Sequence, residues 1–491
     1  MDMRAWRLEV VEGCLAAGIP LKKVDYIRHL LGRNNLRLTS SSNWAQLIPV
    51  LLQREVDDMK EELHAKELAI IFDGSTRLGE AVAIVARYVD NWQVKQRLLR
   101  LDIVAKSVTA ADLAQVLNGC MVDFTVHGPR VLSFDHNGAS VNAAAMGRIG
   151  VYHPQALSIT CMSHTIDNVG GHFDTPCLDI FSQWWINLFS HSCKAKLRWR
   201  EQTGSAMKSY SKTRWWSRWE ILDQLCAQFG KVKPFLDNNK DIALKTMDHI
   251  RMIIESPQQK RDLLLELAAV VDVGQHFVRA TYFLEGDGPL VFSAFLKLQE
   301  VLTACTVQHF PNISAVARRL VEENPELGVP ELEQWAKDRV RPGILWFMRQ
   351  FNVKHRAIVD VFKFARYFCP VQVQALRPDA AAVDNLRVFP FLNDNHTIQH
   401  LQQELPAYLA AATGCRKLTD EEKVEWWPSR EEDLLCWTAA VKKILLVQPF
   451  SAAAERVFSL LKAAFSSQQE AAVADYLQLA VMLQYNDRRQ C

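Results

Sequence analysis

A chain of 491 residues, 49% hydrophobic and 23% charged, is long and apolar enough to bury more than one core, and its length predicts two to four domains. A formal net charge of +2 excludes binding of nucleic acid by overall charge, so any such binding has to rest on local basic patches. No run of about 18 apolar residues occurs, and the opening MDMRAWRLEVVEGC mixes charges into what would be the apolar stretch of a secretory leader. The expectation is an intracellular chain that does not cross a membrane.

From residue 1 to 67 the pattern is helical, with apolar residues every three to four positions in LEVVEGCLAAGIPLKKVDYIRHLLG and again in NWAQLIPVLLQREVDDMKEEL. Leu68 to Phe72 is then an unbroken apolar run closed by Asp73 and Gly74, which predicts a strand buried on both faces. EAVAIVARYVD and QVKQRLLRLDIV follow at hairpin spacing, so these three strands should be antiparallel neighbours. Thr109, with Asp112 three residues on, resembles a capping box at a helix start. PRVLSFD is a second short apolar run ending in an aspartate, and GASVNAAAMGRI, ALSITCMSH and CLDIFSQWWINLFSHS read as helix, strand and helix. In that order the first and fourth strands can pair in parallel through right-handed crossovers, which would bring Asp73 and Asp135 to one end of the sheet. The stretch 220–427 is helical almost throughout, with no fixed repeat, and the tail 428–491 returns to strongly amphipathic helices.

Alone, Asp73 is a turn residue after a strand, as Asp-Gly pairs often are. Together with Asp135 it forms a pair of hard oxygen donors of the kind that holds Mg²⁺ or Mn²⁺, and two such ions about 4 Å apart can grip both the attacking and the leaving oxygen of a phosphodiester. A third carboxylate usually completes such a site. In PFSAAAERVFSLL, periodicity puts Val457, Leu460, Leu461 and Ala464 on one helical face and Ser451, Glu455, Ser459 and Lys462 on the other, where a solvated face would be. The 11 cysteines show no C-x-x-C pair and no zinc-finger spacing, which predicts free thiols in a reducing compartment. The best local phosphate-binding stretch is KAKLRWREQTGSAMKSYSKTRWWSRW, with Lys208, Lys212, Arg214 and Arg218; runs of this kind are also ordinary solvated helix faces.

Four blocks carry a resemblance. PFSAAAERVFSLL, preceded by Trp437 in CWTAAVKKILLVQ and followed by YLQLAVMLQYN, resembles the C-terminal dimerisation block of the hAT family of DNA transposases. LSFDHNGASVNAAAM is similar to that family's second-aspartate block, ITCMSHTIDN to its C-x-x-H motif at Cys161 and His164, and SKTRWWSRWE to its Thr-Arg-Trp block. The resemblance implies an α/β, ribonuclease-H-like mixed sheet interrupted by a large all-α insertion. The expected organisation is a helical region 1–67, the first part of the core at 68–219, the insertion at 220–427 and a dimerisation region 428–491 that completes the core. It also implies a catalytic and metal-binding triad of Asp73, Asp135 and Glu455 with Mg²⁺ or Mn²⁺, support of that site by Cys161 and His164, and stacking of Trp215 on an unpaired base. A core-packed Trp215 is the structural alternative, since Trp216 and Trp219 crowd beside it. The implied partners are DNA and further copies of the chain, in the nucleus.

The chain departs from the family pattern in having no Cys/His spacing of a BED zinc finger before Asp73. The leading expectation is therefore a transposase that cleaves and transfers DNA strands, and its rival a non-enzymatic derivative that keeps the fold as a dimerising, nucleic-acid-binding or regulatory module.

Overall fold

The computed structural model describes residues 3–33, 38, 40–75, 80–104, 107–126, 128–211, 215–242, 244–286, 288–307, 309–464 and 474–486. The chain is mixed α/β and divides into two compact units. One comprises Met1–Cys161, Asp287–Ala294 and Asp360–Cys491, and the other Met162–Gly286 and Phe295–Val359.

The first unit is built on a five-stranded sheet of order β3-β2-β1-β4-β5, with β1 at Leu68–Ser75, β2 at Glu80–Asp90, β3 at Gln93–Val104, β4 at Val131–His136 and β5 at Leu157–Thr160. Leu68 to Phe72 are fully buried, as an unbroken apolar run at the middle of a sheet requires. The first three strands form the expected antiparallel meander, and β1–β4 and β4–β5 pair in parallel. The Ala110–Asp123 helix leads into β4. Its Thr109 hydroxyl accepts from the Asp112 backbone N–H while the Asp112 carboxylate accepts from that of Thr109, the capping box read from the sequence and worth about 1 kcal/mol.

Edge strand β3 is covered by the last helix, Ala474–Asn486. The Asn486 side chain accepts from the Leu98 N–H at 2.7 Å and donates to the Leu98 carbonyl at 3.3 Å and to Glu55 at 3.0 Å, pairing the exposed backbone as a neighbouring strand would. The apolar faces of the tail helices are consumed by this unit: Trp437, Val441, Ile444, Val457, Leu461, Leu477, Leu479, Val481 and Met482 are all at most 2% exposed.

The second unit packs its helices around the 28-residue Pro257–Leu284 helix. Two buried acids of that helix cap its neighbours. Asp272 accepts from the backbone N–H groups of Asn312 (3.2 Å) and Ile313 (3.0 Å), and Glu266 from that of Leu178 (2.7 Å). Each meets otherwise orphaned donors at a helix N-terminus. Burial raises the Glu266 carboxyl from near 4.5 to about 7. A raised folded-state value gives a stability contribution that is whole below pH 4.5 and is lost as pH rises through 7, about 3 kcal/mol across that window. Thermal melts of the wild type should therefore fall between pH 5 and 8, while Glu266→Gln, which still accepts from Leu178, should fall less over the same range.

Candidate active site

β1 and β4 run in parallel with Ile71 opposite Asp135. Residues directly opposite share a sheet face, and so do residues two apart on one strand. Asp73 and Asp135 therefore stand on the same face of adjacent strands, one step diagonal to each other, with Asp73 one residue beyond the last β1–β4 pair.

Asp73 is 5% exposed. Its Oδ1 accepts from the Gly74 N–H at 2.8 Å and from the Asn137 side-chain amide. Asn137, immediately after β4, is itself held through its Oδ1 by the Ala139 N–H (2.9 Å) and the Asn142 amide (2.7 Å). The turn after β4 thus fixes the carboxylate at the end of β1.

Asp135 is 1% exposed, and neither carboxylate oxygen has a hydrogen-bond partner. Burial pushes its carboxyl well above the usual carboxylate range, against the pull of the Arg87 guanidinium and of the nearby Ser133 hydroxyl and with the push of Cys161; that hydroxyl does not reach hydrogen-bond geometry. Arg87 lies on the same face, since it pairs with Ala69, which pairs with Ser133. The guanidinium donates to the Leu445 carbonyl at 3.1 and 3.3 Å, and also to the side-chain oxygen of Gln448. His136 points to the opposite face, where its ring stacks on Phe72 at 5.5 Å.

Glu455 sits in the first turn of the Ala452–Ala464 helix, which packs on β1 and β2. Ala452, Ala453 and Ala454 are buried at 6%, 0% and 0% exposure, so the small side chains let this end of the helix approach the sheet. Just ahead of it the Ser451 N–H donates to Cys161 Sγ at 3.4 Å, at the end of β5. The expected solvated face is corrected at Ser451, which is fully buried, because the backbone entering the helix crosses over Cys161. Further along, Ser459 and Lys462 are exposed as expected, and Glu455 is half-buried. Among the described residues, no group of three or more His, Cys, Asp and Glu side chains stands close enough together to cage a metal ion.

The remaining candidates belong to the helical unit. His164 is half-buried on the short Met162–Asp167 helix. Trp215 opens the Trp215–Gln228 helix, its N–H held by Asp167 at 3.1 Å and its ring edge-on to Phe173 (5.5 Å) and Trp216 (4.7 Å). The indole also lies directly on Gly170, where an added Cβ would come within 2.0–2.3 Å of three ring atoms; this is the geometry of a packed aromatic. Gly170→Ala should destabilise the unit by about 3 kcal/mol, since either the ring or the backbone must shift to admit the methyl group. A chemical melt following tryptophan fluorescence checks it, and an unchanged midpoint would show that the ring moves freely.

Arg218 is paired with Asp179 at 2.6 Å and donates to the Leu178 carbonyl at 3.3 Å. Lys208 is exposed. Lys212 and Arg214 lie outside the described residues. Sequence reasoning missed Arg87, Asn137 and Gln448. The signal for Arg87 was a lone charge inside the apolar run AVAIVARYV, and for Asn137 an amide two residues after the second aspartate.

Compared with known family models and with curated proteins, the chain matches none.

Proposed function

We propose that the chain is a hAT-like DNA transposase, a metal-dependent enzyme that hydrolyses DNA strands and transfers them at transposon ends, built on a ribonuclease-H-like core with a helical insertion. It works in the nucleus as a dimer or higher oligomer. The observation that carries the reading is the Asp135 carboxylate. It is buried, lacks a hydrogen-bond partner, and shares a sheet face with Asp73. Such a group is costly in a resting fold unless a charge comes to meet it.

An all-carboxylate donor set suits a hard cation, so Asp73 and Asp135, with Glu455 as the proposed third ligand, would hold Mg²⁺ or Mn²⁺, although the three do not already stand grouped as a metal cage. When bound, the cation supplies activation of a water or hydroxyl nucleophile and stabilisation of the leaving oxygen. The chain's own residues do the positioning. Asn137 keeps Asp73 at the strand end, Arg87 moderates the charge of Asp135, and the Ser451–Cys161 contact sets where the helix bearing Glu455 begins.

The test is nicking of supercoiled plasmid in Mg²⁺ or Mn²⁺ against a chelator control. Metal-dependent nicking is expected. DNA binding without nicking in either metal would move the reading to the non-enzymatic derivative, a dimerising nucleic-acid-binding or regulatory module. Two observations favour that second reading: the Arg218–Asp179 pair and the packed Trp215 ring. Under either reading DNA affinity centres on Lys208, Lys212, Arg214 and Arg218 and falls steeply with salt. Neutralising all four should flatten that dependence.

A further inference from the structure

We propose that His396 and His400 form a chelating site for a borderline divalent cation of the Zn²⁺, Ni²⁺ and Cu²⁺ class. The two lie four residues apart on the Asn395–Ala411 helix, so their side chains stand one above the other on the same helical face. Their Nε2 atoms are 3.0 Å apart and their ring centroids 4.2 Å.

That separation is what a shared cation requires. Two imidazole nitrogens each about 2.0–2.1 Å from one metal ion stand about 3.0 Å apart at a right angle and about 3.4 Å apart at the tetrahedral angle. The same separation brings the two Nε2 atoms within hydrogen-bond distance of each other, and the neutral imidazole is the form that ligates.

The support under the pair is rigid. Asp394 caps the helix, its Oδ1 accepting from the Thr397 N–H at 2.8 Å. Arg387 donates to Asn393 Oδ1 (3.2 Å) and Asn395 Oδ1 (3.0 Å), tying down the first turn. On the inward face Ile398, Leu401, Leu405 and Tyr408 are at most 4% exposed, so the outward histidines ride on an anchored helix. Both ring nitrogens are already in place, and binding immobilises little that is not already ordered.

Imidazole selects Zn²⁺, Ni²⁺ and Cu²⁺ over the hard ions that carboxylates favour, with Cu²⁺ bound most tightly. The site is therefore chemically separate from Asp73, Asp135 and Glu455 and stands whether or not the proposed catalytic reading does. With two protein nitrogens, the other coordination positions are left to water or an external ligand.

The test titrates Cu²⁺, Ni²⁺ and Zn²⁺ into the full-length chain at neutral pH by calorimetry, for the wild type, His396→Ala, His400→Ala and the double variant, with Cu²⁺ spectra reporting the number of bound nitrogens. The wild type should show an equivalent held by two imidazoles that weakens roughly tenfold or more in either single variant, and the double variant should lose more than either single but less than the sum of the two losses, as chelation by a pair demands. Without metal all four proteins should melt alike, because neither ring is in the core. Either single variant keeping the wild-type affinity, losses that simply add, or displacement of the ion by excess Mg²⁺ would overturn the proposal.

Discussion

Glu455→Gln should leave the fold intact and lower Mg²⁺- or Mn²⁺-dependent strand cleavage by roughly a thousandfold or more. The amide keeps the shape of a half-buried side chain in the first turn of its helix and removes the charge that a hard cation needs. Asp73→Asn and Asp135→Asn should lose as much, and pairs of these changes little more than one alone, because ligands of one ion act as a unit. Asp135→Asn should differ from the others in stability. Burial raises the folded-state value of that carboxyl, so its contribution is whole below the usual carboxylate range and is lost as pH rises. At neutral pH the buried acid therefore weighs on the fold, and the neutral amide should raise the melting temperature while cleavage disappears. The gain should shrink as pH falls toward 4. Gain of stability with loss of activity is what a functional group held at a cost produces. Cleavage by Glu455→Gln at the wild-type rate, with DNA binding unchanged, would remove Glu455 from the site.

The sheet was legible because its signals are local. The apolar run Leu68–Phe72, the hairpin spacing to β2 and β3, and the Thr109–Asp112 box each specify structure within a few residues, and β-strands alternating with helices leave few ways to order the sheet. The pairing of Asp73 with Asp135 followed from that order. Glu455 was not legible from its own helix, where periodicity assigned it to solvent. Its environment depends on contacts across hundreds of residues, such as that of Ser451 with Cys161, and no local pattern encodes them. For the same reason Arg87 went unread: its meaning lies in the Leu445 carbonyl and Gln448, 358 positions along the chain in the case of Leu445. Trp215 was open between two roles because an aromatic at a helix start serves packing and stacking equally well in sequence, and only the contact with Gly170 distinguishes them.

Arg87→Ala should destabilise the protein by about 3–5 kcal/mol, the range for removing one partner of a buried charge-assisted network. Arg87 is 3% exposed. Its loss leaves the Leu445 carbonyl without its donor, takes the guanidinium from Gln448, and strips Asp135 of the cation that offsets its burial. The first two losses loosen the segment that carries the chain from Leu445 to Ser451 and so the start of the helix bearing Glu455; cleavage should fall with them. The third loss makes a specific coupling. If the Arg87 guanidinium stabilises Asp135 through charge, Asp135→Asn should gain more in the Arg87→Ala background than in the wild type, so the double variant is more stable than the sum of the two single effects. Arg87→Lys, which keeps the charge but not the fork that reaches Leu445 and Gln448 together, should retain the electrostatic part and lose the anchoring part. Strictly additive melts would show that Arg87 acts on the tail segment alone and that the charge of Asp135 is balanced elsewhere.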